Sequence, residues 1–112
     1  MSNSDITKLI ETEIFPHMIA DYVKFMPPTN EVRTNMFNDY KSSLTYKVGS
    51  KYVKVISETG GVKMFIVAVD GTKGFKRGDI LKPASWAAPA TNFARGNIFE
   101  GNFNRISWTG AG

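Results

Sequence analysis

Apolar residues recur every three or four positions at the start of the chain and every second position in its middle, and this change of period divides it. Ile6, Leu9, Ile10 and Ile14 make one face of an amphipathic helix that Ser4 or Asp5 is placed to cap, with Glu11 and Glu13 turned outward. Pro16 has no amide hydrogen, so a kink or restart is predicted there. Ile19, Tyr22, Val23 and Met26 then continue the stripe until Pro27 and Pro28 end it. Thr29 is placed to cap a second, shorter helix with Val32, Met36 and Tyr40 near one face, while Asn30, Asn35 and Asn38 lower its intrinsic helicity.

Beyond Ser50 the β-branched and aromatic run SKYVKVIS, the turn ETGG and the run VKMFIVAV predict a β-hairpin. Met64, Ile66 and Ala68 point to one face of its second strand and Phe65, Val67 and Val69 to the other, so that strand is expected to be central and buried on both sides. DGTKG is a further turn, and Asp79 to Lys82 returns as a strand before Pro83 and Pro89 interrupt regular structure. The segment from Asn92 to Gly112 holds Phe93, Ile98, Phe99, Phe103, Ile106 and Trp108, too many large apolar groups for a free tail, and is expected to pack back onto the sheet. The fold class that follows is α+β. N-terminal helices (4–43) pack on a small antiparallel sheet of three or four strands within a β-rich stretch (44–82), and an irregular, motif-bearing segment (83–112) packs back. A length of 112 residues suits one domain, 1–112, and an apolar fraction of 42% is enough for a packed core.

Charge refines this picture. From Met1 to Tyr40 there are three basic residues against six acidic ones, and from Lys41 to Lys82 nine against three, so the middle of the chain is where an anion would bind. Solvated lysines on the outer face of a sheet are the structural alternative. With no cysteine there is no disulfide, thiolate metal site or cysteine nucleophile. The start lacks the pattern of a signal peptide and no apolar run is long enough to span a bilayer, so neither secretion nor membrane insertion is expected.

Little of the residue inventory suits catalysis. His17 is the single histidine and falls within a helical stretch, where a structural role is expected. The carboxylates form no pair suited to acid and base roles, no metal-binding spacing occurs, and the glycine turns match neither a phosphate-binding loop nor a dinucleotide fingerprint. No enzyme activity and no cofactor are expected. The binding candidates lie between Gly74 and Gly101. Arg77 and Arg95 stand beside Gly78 and Gly96, where bare backbone admits a ligand and a guanidinium can grip phosphate or carboxylate. Trp86, among alanines and between two prolines, is either a core plug or a stacking platform for a base. Lys76, Lys82, Ser85, Asn92 and Asn97 add donors. An aromatic plane, arginines and close backbone together are what nucleotide or single-stranded nucleic-acid binding requires.

The stretch GDILKPASWAAPATNFARGNIFEG, residues 78–101, resembles a segment of small tailed-bacteriophage proteins, through Gly78, Asp79, Lys82, Ala84, Ser85, Trp86, Ala88, Pro89, Ala90, Arg95, Gly96 and Asn97; Pro83 and Ala87 depart from the pattern. The resemblance implies a viral protein in the host cytoplasm. Its expected role is a non-enzymatic accessory that counters host defence by binding or sequestering a nucleotide or nucleic-acid ligand through Lys76, Arg77, Lys82, Ser85, Trp86, Arg95 and Asn97. The alternatives are an inhibitor of a host enzyme or defence complex, for which an acidic N-terminal part beside a basic middle is suited, and a virion-associated structural protein. A homo-oligomer is compatible with each of these.

Overall fold

In the computed structural model, residues 3–58 and 61–112 are described. The first apolar stripe becomes one helical rod, made of α1 (Ser4–Leu9), a π turn (Ile10–Ile14) and α2 (Phe15–Phe25). The backbone stays right-handed helical at both joints, Ile10 and Phe15, and the restart expected at Pro16 takes the form of the π turn giving way to α2, with Pro16 in the first turn of α2. Ile6, Ile10, Ile14, Met18 and Tyr22 are the buried positions, at intervals of four. An α-helix turns once in about 3.6 residues, so that stripe would wander around a purely α-helical rod. The wider π turn takes up the excess and keeps the stripe on the core. It also lies just before Pro16, whose ring and missing N–H disfavour the α-helical bond to Thr12. Ser4 and Asp5 lie inside α1 rather than capping it, and the Asp5 carboxylate turns to Arg77.

The second helix, α3 (Glu31–Ser43), is capped by Asn30 and not by Thr29: Asn30 Oδ1 accepts a hydrogen bond from the Arg33 amide at 2.9 Å. Of the face expected to be buried, only Tyr40 is; Val32 and Met36 are exposed. Phe37 and Tyr40 meet Tyr22 of α2 instead, with Tyr22 and Tyr40 stacked at 4.4 Å.

The sheet has five strands where three or four were expected. They run antiparallel in the order β1 (Leu44–Val48), β2 (Tyr52–Ser57), β3 (Gly61–Val67), β4 (Asp79–Leu81) and β5 (Gly96–Asn97). The added strands are β1, which leaves α3 without a loop, and β5, too short for its two residues to show a period. The expected hairpin is β2–β3, and its turn lies in part on Thr59 and Gly60, outside the described residues. Side-chain alternation sends Val53, Val55, Met64, Ile66 and Ile80 into a core shared with the helical rod. Phe65, Val67 and Leu81 enter a smaller apolar cluster on the opposite face, with Tyr52, Val62, Phe75 and Ala94 against it.

The C-terminal segment is more ordered than expected and packs on helix as well as sheet. It ends in a two-stranded ribbon, β6 (Ile106–Ser107) and β7 (Gly110–Ala111), whose Gly110 backbone abuts that of Lys63 in β3. His17 Nε2 lies 2.9 Å from the Ile106 carbonyl oxygen, Asp21 accepts from the Trp108 amide at 2.9 Å, and Tyr40 donates to the Trp108 carbonyl at 2.7 Å. The Trp108 indole stands edge-on to Tyr22 at 5.3 Å, closing an aromatic cluster between α2, α3 and the ribbon. His17 is thus a docking residue of the fold.

Candidate functional site

The sequence-predicted binding residues separate into three groups. Arg77 is a clasp. Its Nη1 and Nη2 donate to the two Asp5 carboxylate oxygens at 2.8 Å each, Nη2 also reaches Asn3, and Nε donates to the Ala68 carbonyl at 3.0 Å. The hydrogen bond from Arg77 pulls the Asp5 carboxyl down from 3.8 to about 2, and the same bond raises the guanidinium above its ordinary value. Lys76 pairs with Glu100 at 2.9 Å on the surface.

Arg95 and Asn97 lie at β5. Asn97 donates through Nδ2 to the Arg77 carbonyl and to Asp79, and accepts from the Phe99 amide, so it organises the turn that follows. Arg95 is buried, with Nη1 donating to Asn92 and to the Phe93 carbonyl and its guanidinium 3.9 Å from the centre of the Phe93 ring. The space that glycine leaves beside both arginines is filled from within. A side chain at Gly78 (φ 92°) would run into the Phe99 ring, and one at Gly96 (φ 155°) into the Asn102 carbonyl.

Lys82, Ser85 and Trp86 share one loop. Ala90 N donates to the Lys82 carbonyl, and the amides of Ala84 and Ser85 both donate to the Ala88 carbonyl, which closes a narrow stem beneath the Trp86 tip. Pro83 and Pro89 bridge across that stem. The tip bends over the outer face of the sheet. With 53% of its surface exposed, Trp86 is not a core plug. Lys54 Nζ stands 4.5 Å from its ring centre and Lys47 Nζ 5.8 Å, while Lys54 is also 5.5 Å from Phe65. Register explains the arrangement: Lys47 pairs with Lys54 and Lys54 with Phe65 across β1, β2 and β3, so period two puts all three on one face.

Beside this row is an open cleft of about 330 Å³ lined by Lys47, Lys51, Tyr52, Lys54, Phe65 and Ala87, among others. The ion pairs among the described residues are Lys76–Glu100 and Arg77–Asp5, so these lysines hold no carboxylate. Lys47, Lys51, Lys54 and Tyr52 were not singled out from the sequence. Their signal was present as the basic balance of the middle region, but which lysines share a face depends on β1 and its register. Among the described residues no group of three His, Cys, Asp or Glu side chains is placed to hold a metal ion, and no helix is long and apolar enough to cross a membrane.

A family model matches residues 3–111, nearly the whole chain. The chain belongs to DUF7717, a family of unknown function. The match takes in the helical rod, the sheet and the C-terminal ribbon together. No curated protein and no solved structure matches it.

Proposed function

We propose that this DUF7717 protein is a non-enzymatic phage accessory protein that binds a nucleotide or single-stranded nucleic acid on the outer face of its sheet and so counters host defence. The observation that carries the reading is the half-exposed Trp86 indole with Lys54 and Lys47 beside it and no carboxylate paired to either. A π face accepts any base by stacking, and lysines at its margin meet the phosphates. Lys51 and Tyr52 extend the same cleft, and Lys82 and Ser85 lie on the loop that carries Trp86. The phage assignment and the anti-defence role rest on the resemblance of residues 78–101.

Titration of the protein into fluorophore-labelled short oligonucleotides and mononucleotides, followed by fluorescence anisotropy of the label, tests this in wild type and variants alike. Trp86→Ala is expected to weaken binding by roughly 5- to 150-fold, the range of one lost base stack. Lys47→Gln with Lys54→Gln is expected to flatten the salt dependence of a single-strand complex by about 0.7 for each phosphate that is no longer neutralised. No response to any nucleotide or oligonucleotide at low salt counts against the reading and favours a second, inhibition of a host protein. That alternative draws on the exposed Val32 and Met36, which with Met26 line a cleft at the start of α3, an apolar surface of the kind that partners cover.

A further inference from the structure

Arg95 is 8% exposed, and its charge has no counter-ion: neither ion pair among the described residues includes it. A buried guanidinium without a carboxylate is costly, and such charges in folded proteins are ordinarily paired. Its hydrogen bonding is one-sided. Nη1 carries both of the bonds it makes, to Asn92 Oδ1 at 2.8 Å and to the Phe93 carbonyl at 2.7 Å. Among the described residues Nε, which is buried, has no partner and Nη2 makes no bond. Nε and Nη2 form the side edge of the guanidinium, the pair of parallel N–H donors that matches two oxygens of a carboxylate or a phosphate. The Phe93 ring centre lies 3.9 Å from the guanidinium carbon.

Arg95 lines a cleft of about 340 Å³ together with Arg105, Gly96, Asn97, Asn102 and Asn104. Arg105 is exposed and lies 5.2 Å from the same Phe93 ring, so two guanidinium groups converge on one aromatic residue at this cleft. Two carboxylates also line it, and both are engaged elsewhere: Asp79 accepts from the Lys76 amide and from Asn97 Nδ2, and Glu100 pairs with Lys76. The volume suits a small ligand larger than the anion itself.

We propose that this cleft is an oxyanion site, in which the Arg95 guanidinium holds the carboxylate or phosphate group of a small ligand, its buried Nε coming into reach as the ligand enters, and Arg105 closes over it. The site is separate from the outer-face reading. The two clefts share no lining residue and lie at opposite edges of the sheet, β1–β2 against β4–β5.

The test is NMR of the arginine Nε–Hε groups in uniformly labelled wild-type protein, assigned through bonds, during titration with inorganic phosphate, with acetate, and with sodium chloride as ionic-strength control. The Arg95 Hε resonance is expected to move saturably with phosphate, which assigns a phosphoryl ligand, or with acetate, which assigns a carboxylate. Arg105→Gln, a surface change that leaves the core intact, is expected to weaken that response roughly tenfold. An Arg95 resonance that moves no more with either anion than with chloride overturns the proposal. This readout is independent of Trp86, so its failure and that of the nucleotide reading are told apart.

Discussion

Arg77 engages all three of its side-chain nitrogens inside the molecule, tying the first turn of the helical rod to the sheet through Asp5, Asn3 and the Ala68 carbonyl. This clasp has a pH signature. The folded Asp5 carboxyl is held at about 2 against an ordinary 3.8, so its contribution is present above about pH 4 and is lost as pH falls towards 2. Thermal midpoints measured across that window are expected to fall less steeply for Asp5→Asn than for wild type, since the variant has no such carboxyl to protonate. Equal slopes would mean that the bond adds nothing beyond what solvent supplies to so exposed a pair. Arg77, Arg95 and Trp86 were all visible in the sequence as chemically notable. What separated them was the company each keeps: an acid from the far end of the chain for Arg77, Phe93 and Asn92 for Arg95, and two lysines for Trp86. Residue type announces capacity for an interaction, and partners at long sequence separation decide whether that capacity is already used.

At the scale of elements, local chemistry set the helices more closely than the strands. The four-residue spacing of Ile6, Ile10 and Ile14 was legible as a helix face, and its continuation through Met18 and Tyr22 requires the π turn. The start of α3 rests on a single cap. Asn30→Ala removes the acceptor for the Arg33 amide and is expected to cost about 1 kcal/mol, read as a shift in the urea midpoint at constant slope. No change in midpoint would mean that the first turn of α3, where Val32 and Met36 face solvent, frays independently of the core. The strand candidates with alternating, β-branched sequences became β2 and β3. The short strands β1 and β5 owe their state to the neighbours that pair with them, which a window of two to five residues does not contain.

For the whole molecule, the two tryptophans make a controlled comparison. Trp108 is partly buried against Tyr22 and Tyr40 and is bonded through its backbone to Asp21 and Tyr40, so it joins the end of the chain to both helices. Trp108→Ala is therefore expected to lower unfolding stability by about 3 kcal/mol or more. Trp86→Ala, at the surface, is expected to stay within about 1 kcal/mol of wild type. Urea unfolding of the two variants checks this, and a Trp86 cost as large as that of Trp108 would assign the loop tip a packing role. Burial likewise raises the Tyr40 hydroxyl above its ordinary value, helped by the nearby Asp21 charge, so the hydroxyl keeps the proton it donates to the Trp108 carbonyl.

The amino-acid sequence by itself determined the helical start, the central hairpin, the division into helical, β-rich and C-terminal parts, and a basic middle region. Each of these is carried by neighbours along the chain, through periodicity, caps, prolines and local charge. Tertiary structure alone decided the five-strand order, the attachment of the C-terminal ribbon to α2, and the grouping of Lys47, Lys54 and Trp86 apart from Arg77 and Arg95. Those features join residues far apart in sequence, and they exist only once antiparallel register and burial have selected which side chains share a face.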